Sequence, residues 1–155
     1  MEQTLVIIKP DAVARGLVGE LTTEFERKAL KLAGCKMIWL DNEVLSEHYA
    51  HLREKPFFGR IAAFMSSLPV VVQCWEGLEA VRVVREMAGV TNGRNAAAGS
   101  IRGRFSMSVQ CNLVHASESA EAAREEVARF FRPEEIFSYR HPLATFLYSS
   151  EELDD

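Results

Sequence analysis

Apolar runs and amphipathic stretches alternate along the chain as strand, helix, strand, short helices, strand, helix, strand, helix. This double βαβ order predicts an α+β fold. The arrangement expected is ferredoxin-like, a four-stranded antiparallel sheet with helices packed on one face. Three observations carry it. The branched run Thr4 to Lys9 stops at Pro10-Asp11, the β-branched run Pro69 to Trp75 reads as a strand, and Val18, Leu21, Phe25, Ala29 and Leu32 recur at helical spacing.

In chain order, the first helix is expected to end near Gly34, and Cys35 to Leu40 to form the second strand. Ser46 can cap a short helix from Glu47 to Lys55, which must stop before Pro56 because proline disfavours helical geometry in the residue preceding it. A second short helix covers Ile61 to Met65, and Glu79 to Ala88 is helix again, ended by Gly89. Thr91 to Phe105 reads as a long loop with a turn signal at Asn92-Gly93. Met107 to Val114 is the expected fourth strand, and Ala120, Ala123, Val127, Phe130 and Phe131 mark the last helix. The chain from Arg132 onward reads as irregular. The domain is expected to span residues 1–149, leaving residues 150–155 as a frayed acidic tail.

Composition narrows the class. A chain of 155 residues can bury a core without disulfides or metal, and 48% hydrophobic with 26% charged residues is ordinary globular usage. The three cysteines, Cys35, Cys74 and Cys111, are widely spaced with no CxxC pair, so they read as reduced thiols. Met1-Glu2-Gln3 has no basic character and Lys9 cuts the apolar run after it, which argues against a signal peptide; Leu68 to Val72 is far too short to cross a bilayer. A cytoplasmic protein without a membrane partner is expected. A net charge of -4 argues against nucleic acid as a partner, although Arg82, Arg85, Arg94, Arg102 and Arg104 face only Glu86 within their segment. There is no GxGxxG or GxxxxGK[ST], so phosphate would have to be held without either loop.

The candidate chemistry lies where apolar runs give way to helices. Lys9 ends the first strand and His115 the last, and in a ferredoxin-like sheet strands one and four can present these two residues near one another. A strand-end histidine alone is ordinarily packed or solvated, and a strand-end lysine ordinarily snorkels. Glu126, three after Ala123 and four before Phe130, falls at the edge of the buried helix stripe and can reach the imidazole, whereas Glu125 points almost opposite. A neutral imidazole can attack a γ-phosphate while a carboxylate on its other nitrogen fixes the tautomer. Ser117 can hold Glu126 or, like Ser119, simply cap the helix. Tyr49 offers a hydroxyl to phosphate, or packs half-buried; Phe57 offers a stacking face, or packs.

These residues fall into motifs that resemble the nucleoside diphosphate kinase family over nearly the whole chain. The motifs are Lys9-Pro10-Asp11, His48-Tyr49 with Lys55-Pro56-Phe57-Phe58, Trp75-Glu76-Gly77, Gly99-Ser100-Ile101-Arg102-Gly103, and Asn112-Leu113-Val114-His115-Ala116-Ser117-Glu118-Ser119. The resemblance implies a homo-oligomer, hexamer or tetramer, that exchanges γ-phosphate between nucleoside tri- and diphosphates by a ping-pong mechanism. It implies magnesium (Mg2+) held by nucleotide phosphates and water rather than by a direct protein ligand. By position, His115 is the phosphorylated residue, Glu126 its partner and Ser117 a support. Lys9, Tyr49, Arg85, Thr91, Arg102 and Asn112 match phosphate and sugar contacts, and Phe57 and Val109 match a clip on the base.

Gly93 and Ala98 stand where the family usually has prolines, Arg104 and Glu118 where it has aspartates, and Cys111 where arginine is common. These departures predict a looser loop, with Arg104 meeting like charge at any inherited partner surface. Two other classes compete with the enzyme: a catalytically weak nucleotide- or nucleic-acid-binding scaffold, and a regulatory module for a small metabolite. The substituted loop and its positive charge favour the first of these slightly, and the second does not account for Lys9, His115 and Glu126 together.

Overall fold

A computed structural model describes residues 1–153. Four strands, β1 (Glu2–Ile8), β2 (Lys31–Ile38), β3 (Val70–Gly77) and β4 (Val114–Ala116), form one sheet in the order β2-β3-β1-β4, every neighbouring pair antiparallel. The helices are α1 (Pro10–Ala14), α2 (Val18–Arg27), α3 (Asn42–His48), α4 (Phe58–Met65), α5 (Ala80–Ala88), α6 (Ile101–Phe105), α7 (Ala120–Phe130), α8 (Ala144–Leu147) and α9 (Ser150–Leu153). This is the ferredoxin-like α+β architecture expected from the sequence.

Helices cover both faces of the sheet rather than one. Val6 and Ile8 of β1 pack with Trp75, with Leu21 and Phe25 of α2 and with Val84 of α5, whereas Leu5 and Ile7 pack with Val70, Val72, Leu45, Met65 and Phe130. Leu5 through Ile8 are fully buried, and successive side chains point to opposite faces, so an unbroken apolar run requires cover on both.

Several boundaries differ from the sequence expectation for local reasons. Helix α2 stops at Arg27, because Ala29 adopts a left-handed φ of 70°, Ala29 N–H donates to Glu26 and Leu30 N–H donates to Phe25. This is a Schellman closure with alanine where glycine is usual. Strand β2 therefore begins earlier, and a bulge between Leu32 and Gly34 carries the misleading apolar spacing. A Cβ on Gly34 would come within 2.9 Å of Ile136 Cδ1, which is why the backbone there can lie under the returning C-terminal segment.

Helix α3 starts before the predicted cap. Asp41, not Ser46, caps it by accepting from Val44 N–H at 2.9 Å. The fourth strand is three residues long, not eight. Ser106 and Ser108 hydroxyls bond the backbone of Ser108, Gln110 and Cys111, so residues 106–111 fold into turns despite their alternating apolar pattern.

The segment from Thr91 to Phe105 is organised rather than loose. Asn92 caps a 3-10 turn at Gly93–Asn95, and Ser100 caps α6 by accepting from Gly103 N–H. Arg104 meets Glu24 at 3.0 Å, so its charge is answered within the chain. The C-terminal part is also more ordered than expected. Phe137 N–H donates to Ala33, Lys36 pairs with Glu135 at 2.7 Å, and α8 and α9 follow; the expected fraying at Asp154 and Asp155 lies outside the described residues.

Candidate active site

Strands β1 and β4 set the site. Ile7 lies opposite His115 and Ile8 opposite Val114, and Lys9 N–H extends the ladder to Leu113 at 2.8 Å. Leu113 itself takes a left-handed φ of 75°, and its N–H is held by Asp11 Oδ2 at 3.1 Å. This kink sends Lys9 and His115 to the same end of the sheet.

His115 heads a partly buried polar relay whose centre is Glu126. Its Nε2 lies 3.0 Å from Glu126 Oε1, and Ser117 Oγ donates to Glu126 Oε2 at 2.6 Å while accepting from Leu5 N–H at 3.2 Å. Burial alone would raise the Glu126 pKa, but hydrogen bonds and charge from His115 and the Ser117 hydroxyl outweigh it and hold the carboxyl below its ordinary range. An ionised carboxylate only accepts, so the proton sits on Nε2 and Nδ1 keeps its lone pair. Ser119 caps α7, whereas the Ser117 hydroxyl bonds Glu126. Glu125 is exposed and Glu126 buried, as the helix stripe requires.

A cleft of about 1070 Å³ opens over this relay. Lys9, Tyr49, Phe57, Arg85, Thr91, Arg102, Val109, Asn112, His115 and Glu126 all line it, so every candidate from the sequence reaches the cleft except Ser117, which lies behind it and hydrogen-bonds Glu126. Lys9 Nζ donates to Gln110 carbonyl at 2.6 Å and Asn112 Oδ1 at 2.7 Å, and burial lowers its pKa to about 8. Asn112 in turn donates to the carbonyls of Thr91 and Val109, both at 2.9 Å, so its amide fixes Lys9 and two cleft-wall segments together. Arg102 donates to the carbonyls of Asn112, Gly89 and Val114, which uses three of its five donors. Burial, then the nearby Arg85, lowers the Arg102 pKa to about 10.

Tyr49 closes α3, and burial followed by the charge of Glu126 pushes its hydroxyl up to about 12, so it remains a donor across the physiological range. Phe57 and Val109 are exposed large apolar side chains on the cleft wall.

His48 was missed as a site residue. Its ring meets His115 edge-on at 4.5 Å between centroids, and burial, then neighbouring His115, lowers its pKa to about 3. The signal lay in its spacing of three from the buried Leu45, which shares a face of α3; placing the helix five residues late concealed it.

A carboxylate-backed imidazole beneath a cation-lined cleft has the chemistry of a phosphotransferase, and this α+β scaffold brings its parts together on the adjacent strands β1 and β4 and on α7. The family model described as nucleoside diphosphate kinase matches residues 2–136. A nucleoside diphosphate kinase from Parabacteroides distasonis is 60% identical over 98% of this chain and 99% of its own length, and nucleoside diphosphate kinase 3 from Homo sapiens is 46% identical over 95% and 87%. Among solved structures, the Halobacterium salinarum nucleoside diphosphate kinase in complex with CDP superposes with a TM-score of 0.93 at 39% identity, covering 96% of this chain and 99% of that one. The chain belongs to the nucleoside diphosphate kinase family. Its activity is transfer of the γ-phosphate from a nucleoside triphosphate to a nucleoside diphosphate, by the ping-pong phosphohistidine route of that family.

Proposed function

We propose that His115 is the residue phosphorylated, through Nδ1. The single observation that supports this is the 3.0 Å contact between Nε2 and Glu126, which leaves Nδ1 as the basic nitrogen. In the first half-reaction the Nδ1 lone pair forms a bond to the γ-phosphorus, the phosphorus–oxygen bond to the β-phosphate breaks, and the nucleoside diphosphate leaves with that electron pair. Positive charge grows on the ring and is met by Glu126. A second diphosphate reverses the step from the other side of the equilibrium.

Lys9, Arg85 and Arg102 neutralise the phosphates, with Tyr49 and Thr91 as hydroxyl donors. Lys9 and Asn112 also face the sugar, and Phe57 with Val109 grips the base by its face, so purines and pyrimidines are accepted with modest preference. The CDP held by the halophilic relative fits such a cleft.

Magnesium enters as the nucleotide complex, where it offsets polyphosphate charge. Among the described residues, the one cluster of metal-ligating side chains has two imidazoles and one carboxylate, a poor set for this oxygen-seeking ion. The donor chemistry therefore fits magnesium held by phosphate and water.

Assembly into a homo-oligomer, hexamer or tetramer, accounts for Met37, Trp39 and Phe146, large apolar side chains left exposed on the single chain. Free thiols at Cys35, Cys74 and Cys111 fit a reducing compartment such as the cytoplasm. No helix among the described residues is long and apolar enough to cross a membrane.

Labelled ATP with magnesium should give an acid-labile, base-stable phosphoprotein, and a second nucleoside diphosphate should remove the label. His115→Ala should carry none; label on that variant would move the assignment elsewhere.

A further inference from the structure

The proposed transfer leaves His48 without a task. Its side chain is 1% exposed, and neither ring nitrogen has a hydrogen-bond partner. Buried polar atoms are ordinarily satisfied, so an orphaned imidazole beside two other donors invites a ligand. Its Nδ1 lies 3.9 Å from Glu126 Oε1, while His115 Nε2 lies 3.0 Å from the same oxygen, and one donor atom from each of the three side chains falls within 4.8 Å of the others.

We propose that His48, His115 and Glu126 form a capture site for a borderline divalent transition-metal ion such as Zn2+, and that the bound ion inhibits phosphoryl transfer. Two imidazoles and one carboxylate are a known type of donor set for zinc, which takes three protein ligands and leaves a fourth position open. That position faces the cleft, which both His115 and Glu126 line. Tetrahedral zinc with bonds of about 2.0–2.1 Å sets its ligand atoms roughly 3.4 Å apart, so donor atoms now up to 4.8 Å apart must close by at most about 1.4 Å while the His115–Glu126 pair at 3.0 Å opens by about 0.4 Å. Magnesium does not compete, because it demands octahedral oxygen. Binding moves the Nε2 proton of His115 to Nδ1, so the ion takes Nε2 and Glu126 out of the relay and Nδ1 loses the lone pair needed to attack phosphorus.

Metal-free, full-length protein without nucleotide is titrated with Co2+. The expected result is the strong visible absorption of four-coordinate cobalt at one ion per chain, displaced by Zn2+ and not by excess Mg2+. Cys35→Ser with Cys111→Ser should retain it, which separates the site from the exposed thiols. His48→Gln and Glu126→Gln should each weaken binding at least about tenfold. Independently of any variant's folding, Zn2+ should shift the ring nitrogen resonances of His48 and His115 in the wild-type protein and leave those of His51 and His141 in place. Unchanged cobalt affinity in folded His48→Gln, displacement by Mg2+, or an unmoved His48 resonance overturns the site. Inhibition rests on the phosphohistidine assignment: a cobalt band with label on another residue defeats that assignment alone, whereas normal label on His115 without a band defeats the metal site alone.

Discussion

Glu126 binds His115 Nε2 at 3.0 Å through one carboxylate oxygen and the Ser117 hydroxyl at 2.6 Å through the other, so one side chain joins the imidazole of β4 to the hydroxyl that also accepts from β1. The ring is thereby oriented by three elements rather than by its own strand. Glu126→Gln preserves the shape but removes the charge. Phosphoenzyme formation should slow by roughly ten- to a thousandfold while nucleotide affinity holds, as single-turnover kinetics and equilibrium binding can show. A wild-type rate would reduce Glu126 to a packing role.

Lys9 makes the free enzyme sensitive to alkaline pH. Burial lowers its pKa from 10.5 to about 8, so between those values the unfolded chain binds a proton that the folded chain has lost. Stability contributed by this group therefore rises with pH across that window, and the penalty of about 3 kcal/mol for burying the ammonium is fully present below it. Nucleotide affinity has the opposite trend, falling as pH rises through about 8, because the cation that meets phosphate is lost. Urea stability and diphosphate binding of wild type and Lys9→Met, each followed from pH 7 to 10, test the two signs. Parallel profiles would refute the assignment.

Restoring the two prolines should have opposite effects. At Gly93 a Cβ would sit 2.4 Å from the Ser106 carbonyl oxygen, and the Gly93 N–H donates to Ser108 at 3.2 Å. Gly93→Pro introduces the clash and removes the donor, so it should lower the urea midpoint. Ala98 is exposed, and Ala98→Pro should stabilise by about 0.4–1 kcal/mol where its φ is compatible. Equal midpoints for both variants would contradict this.

Arg104→Asp should weaken the fold rather than relieve repulsion. It exchanges a 3.0 Å pair with Glu24 for two facing carboxylates and removes a guanidinium 4.9 Å from the Phe105 ring centroid. The pair is partly exposed, so the loss should be up to about 1 kcal/mol and shrink with added salt. Glu24→Arg combined with Arg104→Asp should recover most of it. Urea titrations of the four proteins complete the cycle, and additivity would show that the pair does not couple.

Residues with a local signature were legible before folding. Lys9 stood just past the end of β1 as expected, whereas His115 lies within the short β4 opposite Ile7, and the 3.6-residue period alone separated buried Glu126 from exposed Glu125. The four strands and their ferredoxin-like order followed from apolar runs and breakers, although the extent of β4 did not. Met107, Val109, Cys111 and Leu113 alternate as a strand would, yet serine hydroxyls competed successfully for the backbone of that segment.

The sequence by itself determined the strand runs and the helix stripes, because these depend on spacings within one element, while the inventory of the cleft came through the resemblance of its motifs to a family. Only the tertiary structure decided that helices cover both faces, that Arg104 finds Glu24, and that His48 lies buried against His115. Each of these joins residues far apart in the chain. Their energies depend on distance and burial after packing, and no local period encodes either.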